Sequence, residues 1–228
     1  MKIKKTITLA LLMLALVAGC HNPASQPLQS RQAAQGDWTL PYKEWRFDFF
    51  TPFALYATVT YVQIIDVEGY LNQFFTLDPA QDDPNVKGIW DPLTGAKFIN
   101  FNKVKSLPQY MLFCWDSVID KKTYETSILF SPETWQRMKT PADHTSYAGH
   151  TVWYDTLLIG LAPEGKVRLW LDDVNRYPNI PVTPAQMITR SGKEMKFCQG
   201  ITEHPKGYVY FGDTPEFIKG KTYPYGSW

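Results

Sequence analysis

Residues 44–50 (EWRFDFF) alternate large aromatic side chains with charged or polar ones. In an extended chain, Trp45, Phe47 and Phe49 point to one face and the residues between them point to the other. This period of two is typical of a strand that is buried on one side only. The chain is therefore expected to build its core from β-sheet.

Strand-like composition recurs along most of the sequence. β-Branched and aromatic residues, bounded by turn residues, predict further strands and hairpins at 54–66, 70–77, 109–118 with 123–130, 152–162 with 167–172, and 207–211. The stretch 78–96 is rich in Asp, Pro and Gly and predicts a loop, and the polar stretch 139–151 predicts another.

Two short helices are expected between these strands. Ser131 followed by Pro132 predicts a helix that runs to about Met138, and Thr183 followed by Pro184 predicts a second that runs to Thr189. The pattern as a whole predicts a mainly β fold, an antiparallel two-sheet β-sandwich-like domain with one or two short helices.

The N-terminus carries a targeting signal. Three lysines precede an apolar run at 7–18 that is too short to cross a membrane, which predicts a secretory signal over 1–19. The sequence Val17-Ala18-Gly19-Cys20 resembles a bacterial lipobox, which implies that Cys20 is lipidated and becomes the new N-terminus. The alternative is a plain secretory signal with an incidental cysteine.

The residues after Cys20 are polar and contain almost no large apolar group. We expect 20–37 to be a lipidated cysteine with a flexible tether, and 38–228 to form a single mainly β domain. A lipid anchor would hold this domain at a membrane. By resemblance to lipoprotein sorting signals, His21 favours the outer membrane over the inner membrane, and we expect the anchored domain to face the periplasm.

The charge balance excludes one class of partner. Removal of the signal lysines leaves 20 basic residues of the original 23, against 22 acidic residues. This slightly acidic chain has no basic patch, so nucleic acid is not an expected partner. Cys114 and Cys198 remain for the fold, and they form either a disulfide or two small buried thiols.

No catalytic or metal-binding constellation stands out. The Gly-x-Ser-x-Gly motif of α/β-hydrolases is absent. Asp143, His144 and Ser146 lie near one another in sequence, but a catalytic triad is assembled by geometry rather than by sequence proximity. The spacing between His144 and His150 fits no common zinc site. We therefore predict a non-enzyme without metal or cofactor, with these side chains and the pair Asp172-Asp173 facing water.

The C-terminus is rich in aromatic residues, among them Tyr223, Tyr225 and Trp228. Two alternatives are open. These rings either pack back over the edge of a sheet or form an exposed contact surface, because Tyr and Trp are frequent anchors at protein interfaces.

The hairpin at 159–171 (IGLAPEGKVRLWL) resembles a signature of the domain of unknown function 2931 family of bacterial lipoproteins. Its matching positions include Gly160, Pro163, Gly165 and Trp170, while Glu164 stands where the family usually has glycine. Further matching features are Trp45, Pro108, Trp115, Lys122, Tyr124 and the SPETW segment at 131–135.

Several members of this family look like immunity proteins against phospholipase toxins of type VI secretion systems. The resemblance implies a membrane-anchored periplasmic inhibitor that sterically occludes a lipase. A non-catalytic structural or glycan-binding envelope lipoprotein is the alternative. Exposed polar and aromatic residues are the predicted binding residues: Lys139, Asp143, His144, Tyr147, His150, Tyr223, Tyr225 and Trp228. The signature residues Gly160, Pro163, Gly165 and Trp170 are expected to determine the fold.

Overall fold

A computed structural model describes residues 34–75, 80–95, 102–174, 177–221 and 226–228. The predicted signal, Cys20, Tyr223 and Tyr225 lie outside these residues. Within them the strands are β1 (Trp45–Pro52), β2 (Ala57–Asp66), β3 (Leu71–Phe74), β4 (Gln81–Asp83), β5 (Lys103–Val104), β6 (Pro108–Ser117), β7 (Lys122–Leu129), β8 (Pro141–Thr145), β9 (Thr151–Trp153), β10 (Thr156–Ala162), β11 (Lys166–Leu171), β12 (Ile180–Pro181) and β13 (Gln186–Ser191). The helices are α1 (Pro132–Lys139) and α2 (Thr214–Ile218), and Gly192–Glu194 is a 3-10 turn.

These strands form two main sheets and one small one. The six-stranded sheet has the order β12-β11-β10-β1-β4, with β5 also beside β1. The five-stranded sheet has the order β13-β7-β6-β2-β3 and is antiparallel throughout. Within the described residues, β8 and β9 pair only with each other. The predicted mainly β, sandwich-like fold is confirmed, although β1 runs parallel to both β10 and β4.

The core lies between the two main sheets, as the alternation in 44–50 requires. Trp45 and Phe47 are completely buried, and the ring centroids of Phe49 and Phe113, from opposite sheets, are 5.0 Å apart. Edge-to-face contacts of this kind add to the stabilisation from buried apolar area. At the start of the described chain, the Ala34 N–H already donates to the carbonyl oxygen of Val67.

Four predictions of secondary structure were wrong. The loop expected at 78–96 contains β4 (Gln81–Asp83), because these residues pair with the end of β1. The helix expected over 183–189 is replaced by β13, which pairs along β7, because the β-branched Ile188 and Thr189 favour a strand when a sheet edge is available. The strand expected at 207–211 is irregular, because the Tyr208 hydroxyl turns inward to donate to Asp116. The polar loop expected at 139–151 contains the hairpin β8–β9.

The structure joins Cys114 on β6 to Cys198 in a disulfide across the outer face of the five-stranded sheet. Of the two alternatives left open by the sequence, the paired one is therefore present. The bond pins the segment that follows the 3-10 turn onto a small apolar cluster that includes Tyr61 and Leu112.

Candidate functional site

The hairpin β8–β9 carries four of the eight predicted binding residues, namely Asp143, His144, Tyr147 and His150. Three hydrogen bonds of Ser146 close its turn. The Ser146 carbonyl accepts from the Gly149 N–H, the Ser146 N–H donates to the His150 carbonyl, and the Ser146 Oγ accepts from the His150 N–H. Gly149 has φ of 79°, a conformation that favours glycine. A two-stranded hairpin is marginally stable alone in water, so contacts with the rest of the domain must hold it.

His144 supplies the main polar anchor. Its Nε2 lies 2.8 Å from Oδ1 of Asp173, and its Nδ1 lies 3.0 Å from Oδ1 of Asp143. The imidazole also packs on the ring of Tyr177, with 3.9 Å between centroids. The expectation that Asp173 faces water was wrong, since only 3% of it is exposed. His144 thus ties the hairpin to the segment that follows β11.

The anchor continues into the loops behind it. The backbone N–H of Asp173 donates to the Asn179 side-chain oxygen, and the Asn179 amide donates to the carbonyl of Thr94. Both Asp173 and Asn179 are buried, so the hydrogen bonds satisfy polar groups that would otherwise be costly to bury. The hairpin is therefore fixed to a buried network and not merely to another surface loop.

The two carboxylates also set the charge of the imidazole. The hydrogen bond that His144 donates to Asp143 is the largest influence raising the pKa of His144, and Asp173 adds to it, while burial opposes both. The same contact lowers the pKa of Asp143. Because both ring nitrogens face carboxylates, this imidazole has no nitrogen left to accept a proton from Ser146, and the Ser-His-Asp arrangement is not assembled here.

Aromatic contacts hold the base of the hairpin. The ring of Trp153 packs on Tyr42 at 5.7 Å between centroids, and the Tyr42 hydroxyl donates to the Met138 carbonyl at the end of α1. Val152 on β9 is buried as well. These contacts and the His144 anchor hold the hairpin against the domain, while its tip at 147–150 remains exposed.

The tip presents an aromatic side chain to solvent. Tyr147 is 100% exposed, and His150 beside it is exposed as well. Lys139 lies apart from the tip, at the end of α1, where its ammonium donates to the Asp37 carbonyl and lies 5.7 Å from the Trp38 ring. Asp143 projects from β8 with a fully exposed side chain.

Trp228 does not join this group. Its ring packs against Trp90 at 5.3 Å between centroids, in a cluster on the other face of the six-stranded sheet that includes Phe50, Leu158 and Trp170. Of the two alternatives for the C-terminal aromatic residues, Trp228 therefore packs over a sheet and does not form an exposed contact surface.

The family signature at 159–171 lies where the turn between β10 and β11 meets the turn between β6 and β7. Gly160 sits under the Trp90 ring, and an added Cβ would lie 2.6 Å from it. Glu164 and Gly165 both have positive φ, 67° and 72°, in the turn between β10 and β11. The Glu164 N–H donates to Oδ2 of Asp120, in the turn between β6 and β7. The positive φ of Glu164 and Gly165 explains why glycine is favoured in this turn.

Two buried acids were missed by the sequence reasoning. Oε2 of Glu125 accepts three consecutive backbone N–H groups, from residues 196, 197 and 198. Asp116 accepts from the hydroxyls of Thr123, Thr202 and Tyr208. A single acid inside an otherwise apolar or β-branched strand is the signal that could have found them. Both acids hold the C-terminal segment against the five-stranded sheet.

Among the described residues, no cluster of His, Cys, Asp and Glu is arranged to hold a metal ion. No helix in the part of the chain that the structure describes is long and apolar enough to cross a membrane.

The fold and the hairpin define a mainly β, two-sheet domain whose exposed tip is rigidly supported. A family model described as protein of unknown function (DUF2931) matches residues 22–226. The chain therefore belongs to this family, which confirms the resemblance of the 159–171 signature. No curated protein and no solved structure matches the chain.

Proposed function

We propose that this protein is a non-catalytic inhibitor in the bacterial envelope, an immunity protein that binds a phospholipase effector and blocks its active-site entrance. The observation that carries the proposal is the anchored hairpin with Tyr147 at its tip. The class of target rests on the family resemblance to immunity proteins.

A preformed hairpin suits this role for a physical reason. Binding costs free energy when flexible loops must be ordered, and a loop that is already fixed avoids most of that cost. His144 and the Tyr42–Trp153 contact fix the hairpin before it binds. Tyr147 can then enter a concave site as an aromatic anchor, the type of residue that dominates many interfaces.

The disulfide supports a location outside the cytoplasm. Disulfides persist in oxidising compartments such as the bacterial periplasm and are rare in the cytosol. The Cys114–Cys198 bond agrees with the predicted secretory signal and with lipidation at Cys20. An anchor there would place the inhibitor beside the lipid that a phospholipase attacks.

Competition between cells tests the function. A strain that lacks this gene should be killed by sibling cells with an active type VI secretion system and should survive when the gene is restored. Siblings whose phospholipase effector is inactivated should not kill it. Equal survival of the deletion strain and its parent against the armed siblings would reject the immunity role.

A further inference from the structure

Strand β3 is an unprotected edge of the five-stranded sheet. It pairs with β2 on one side, and no strand of the described residues pairs with its other side. The segment 70–75 (YLNQFF) contains no charge and no proline. Edge strands normally carry charged side chains or proline, because their unpaired backbone groups otherwise pair with another strand.

Within the described residues, the other edge strands of the two main sheets do contain charged residues or proline. Charged side chains occur in β4, β5 and β13, and β12 contains Pro181. The contrast singles out β3 as the edge whose composition allows a further strand to pair with it.

The backbone of β3 directs alternate peptide groups outward. The Asp66 N–H donates to the Tyr70 carbonyl, which fixes the alternation of the antiparallel ladder that follows. In such a ladder every second residue exchanges hydrogen bonds with its partner strand. Asn72 and Phe74 therefore bond to β2, and the peptide groups of Leu71 and Gln73 point to the open edge.

We infer that β3 pairs antiparallel with β3 of a second copy of this chain, about a two-fold axis at Gln73. This register places Leu71 of each copy opposite Phe75 of the other and brings the two Gln73 amides together. Leu71 is 55% exposed and Phe75 is 70% exposed, so both have apolar area to bury. No like charges oppose each other, a condition that antiparallel pairs require.

The pairing extends an existing aromatic surface. Phe75 packs on Tyr61, and Phe197 stacks on the other side of Tyr61, with centroid distances of 5.3 and 5.0 Å. Side chains at 71, 73 and 75 lie on this same outer face, because residues two apart in a strand share a face. The dimer would therefore join the aromatic faces of two copies into one surface.

This inference goes beyond the proposed function and does not depend on it. A pairing of about five residues per chain buries less than the roughly 800 Å² per partner of a stable complex. We therefore expect a concentration-dependent dimer with a dissociation constant on the order of micromolar.

Sedimentation of the purified protein over a concentration series tests the pairing. The unaltered chain should shift from monomer to dimer, and Gln73→Lys should remain monomeric, because two ammonium groups would meet at the axis. Gln186→Lys is the matched control, since Gln186 is also exposed but lies on β13 at the opposite edge. It should dimerise like the unaltered chain. An unaltered chain that stays monomeric at about 100 μM would overturn the inference.

A cross-link supplies an independent readout. The two-fold axis places the two copies of residue 73 within the distance that a disulfide spans. After mild oxidation, Gln73→Cys should give a band at twice the chain mass, and Gln186→Cys should not. Equal cross-linking of both variants, or of neither, would contradict pairing through β3. Circular dichroism checks that each variant keeps its sheet content.

Discussion

His144 Nε2 lies 2.8 Å from Oδ1 of Asp173, and this contact fastens the β8–β9 hairpin to a buried network. Its loss should loosen the hairpin without unfolding the sheets. In His144→Ala, we expect faster amide hydrogen exchange over 141–153 and unchanged exchange in β10 and β11, because local opening needs only local contacts to break.

His150→Ala is the matched control for this variant. His150 lies in the same hairpin, but its side chain is exposed. Its exchange rates should equal those of the unaltered chain. Equal effects of the two substitutions would show that His144 is not the anchor.

The anchor should weaken as the pH rises. The pKa of His144 is raised above its ordinary value of 6.5 by its carboxylate partners, so the folded state favours the imidazolium. The contribution of the charged His144 imidazole to hairpin stability is complete below pH 6.5 and is lost as the pH rises through the higher folded-state pKa of His144. After correction for intrinsic exchange rates, hairpin protection should fall across this range in the unaltered chain and stay flat in His144→Ala. A flat profile in both proteins would reject the charge-assisted contact.

Glu164 occupies a position that suits glycine. Its φ of 67° lies in the left-handed region, which costs a non-glycine residue about 1–2 kcal/mol. Glycine loses part of that gain through its greater unfolded-state freedom. Glu164→Gly should therefore raise the free energy of unfolding by about 0.5–1 kcal/mol, as measured by urea denaturation. A destabilised variant would mean that the Glu164 side chain makes a compensating contact.

Removal of the disulfide should have a larger effect. The bond links residues 84 positions apart and restricts the unfolded chain. Replacement of both Cys114 and Cys198 by alanine should lower the free energy of unfolding by about 2–4 kcal/mol. Addition of a reductant should lower the stability of the unaltered chain but not of the double variant. No difference between the two proteins would show that the disulfide does not stabilise the domain.

Local patterns predicted much of the fold. Hairpin β6–β7 and helix α1 were expected close to their observed bounds, because each is specified by residues near one another in sequence. Hairpin β10–β11 was also expected, but the strand predicted over 152–162 divides into the end of β9 and β10, which begins at Thr156. The parallel pairing of β1 with β10 could not be predicted in this way, since it joins Phe47 to Leu157 across more than half of the domain.

The failures have a common cause in tertiary contacts. Thr183 and Pro184 are typical of a helix start, but the free edge of β7 offered the next residues a full ladder of hydrogen bonds. The aromatic residues at 207–211 predicted a strand, but this segment is irregular because the Tyr208 hydroxyl donates a hydrogen bond to Asp116. Neither partner is visible from the local sequence.

The candidate site was predicted only in part. The sequence singled out Asp143, His144, Tyr147 and His150 for their exposed polar or aromatic character, and the structure brings these four into one hairpin. Local sequence patterns did not indicate that Asp173 is buried beneath His144, because that contact spans 29 residues.

The role of the hairpin tip is tested most directly by inhibition of the phospholipase effector that the proposed function assigns to this protein as its target. Tyr147→Ala should weaken inhibition about 30-fold, the effect of losing an interface anchor worth about 2 kcal/mol. Tyr70→Ala is the matched control, because Tyr70 is also exposed but lies between β2 and β3, outside the hairpin. It should inhibit like the unaltered chain. Unchanged inhibition by Tyr147→Ala would contradict binding through the hairpin.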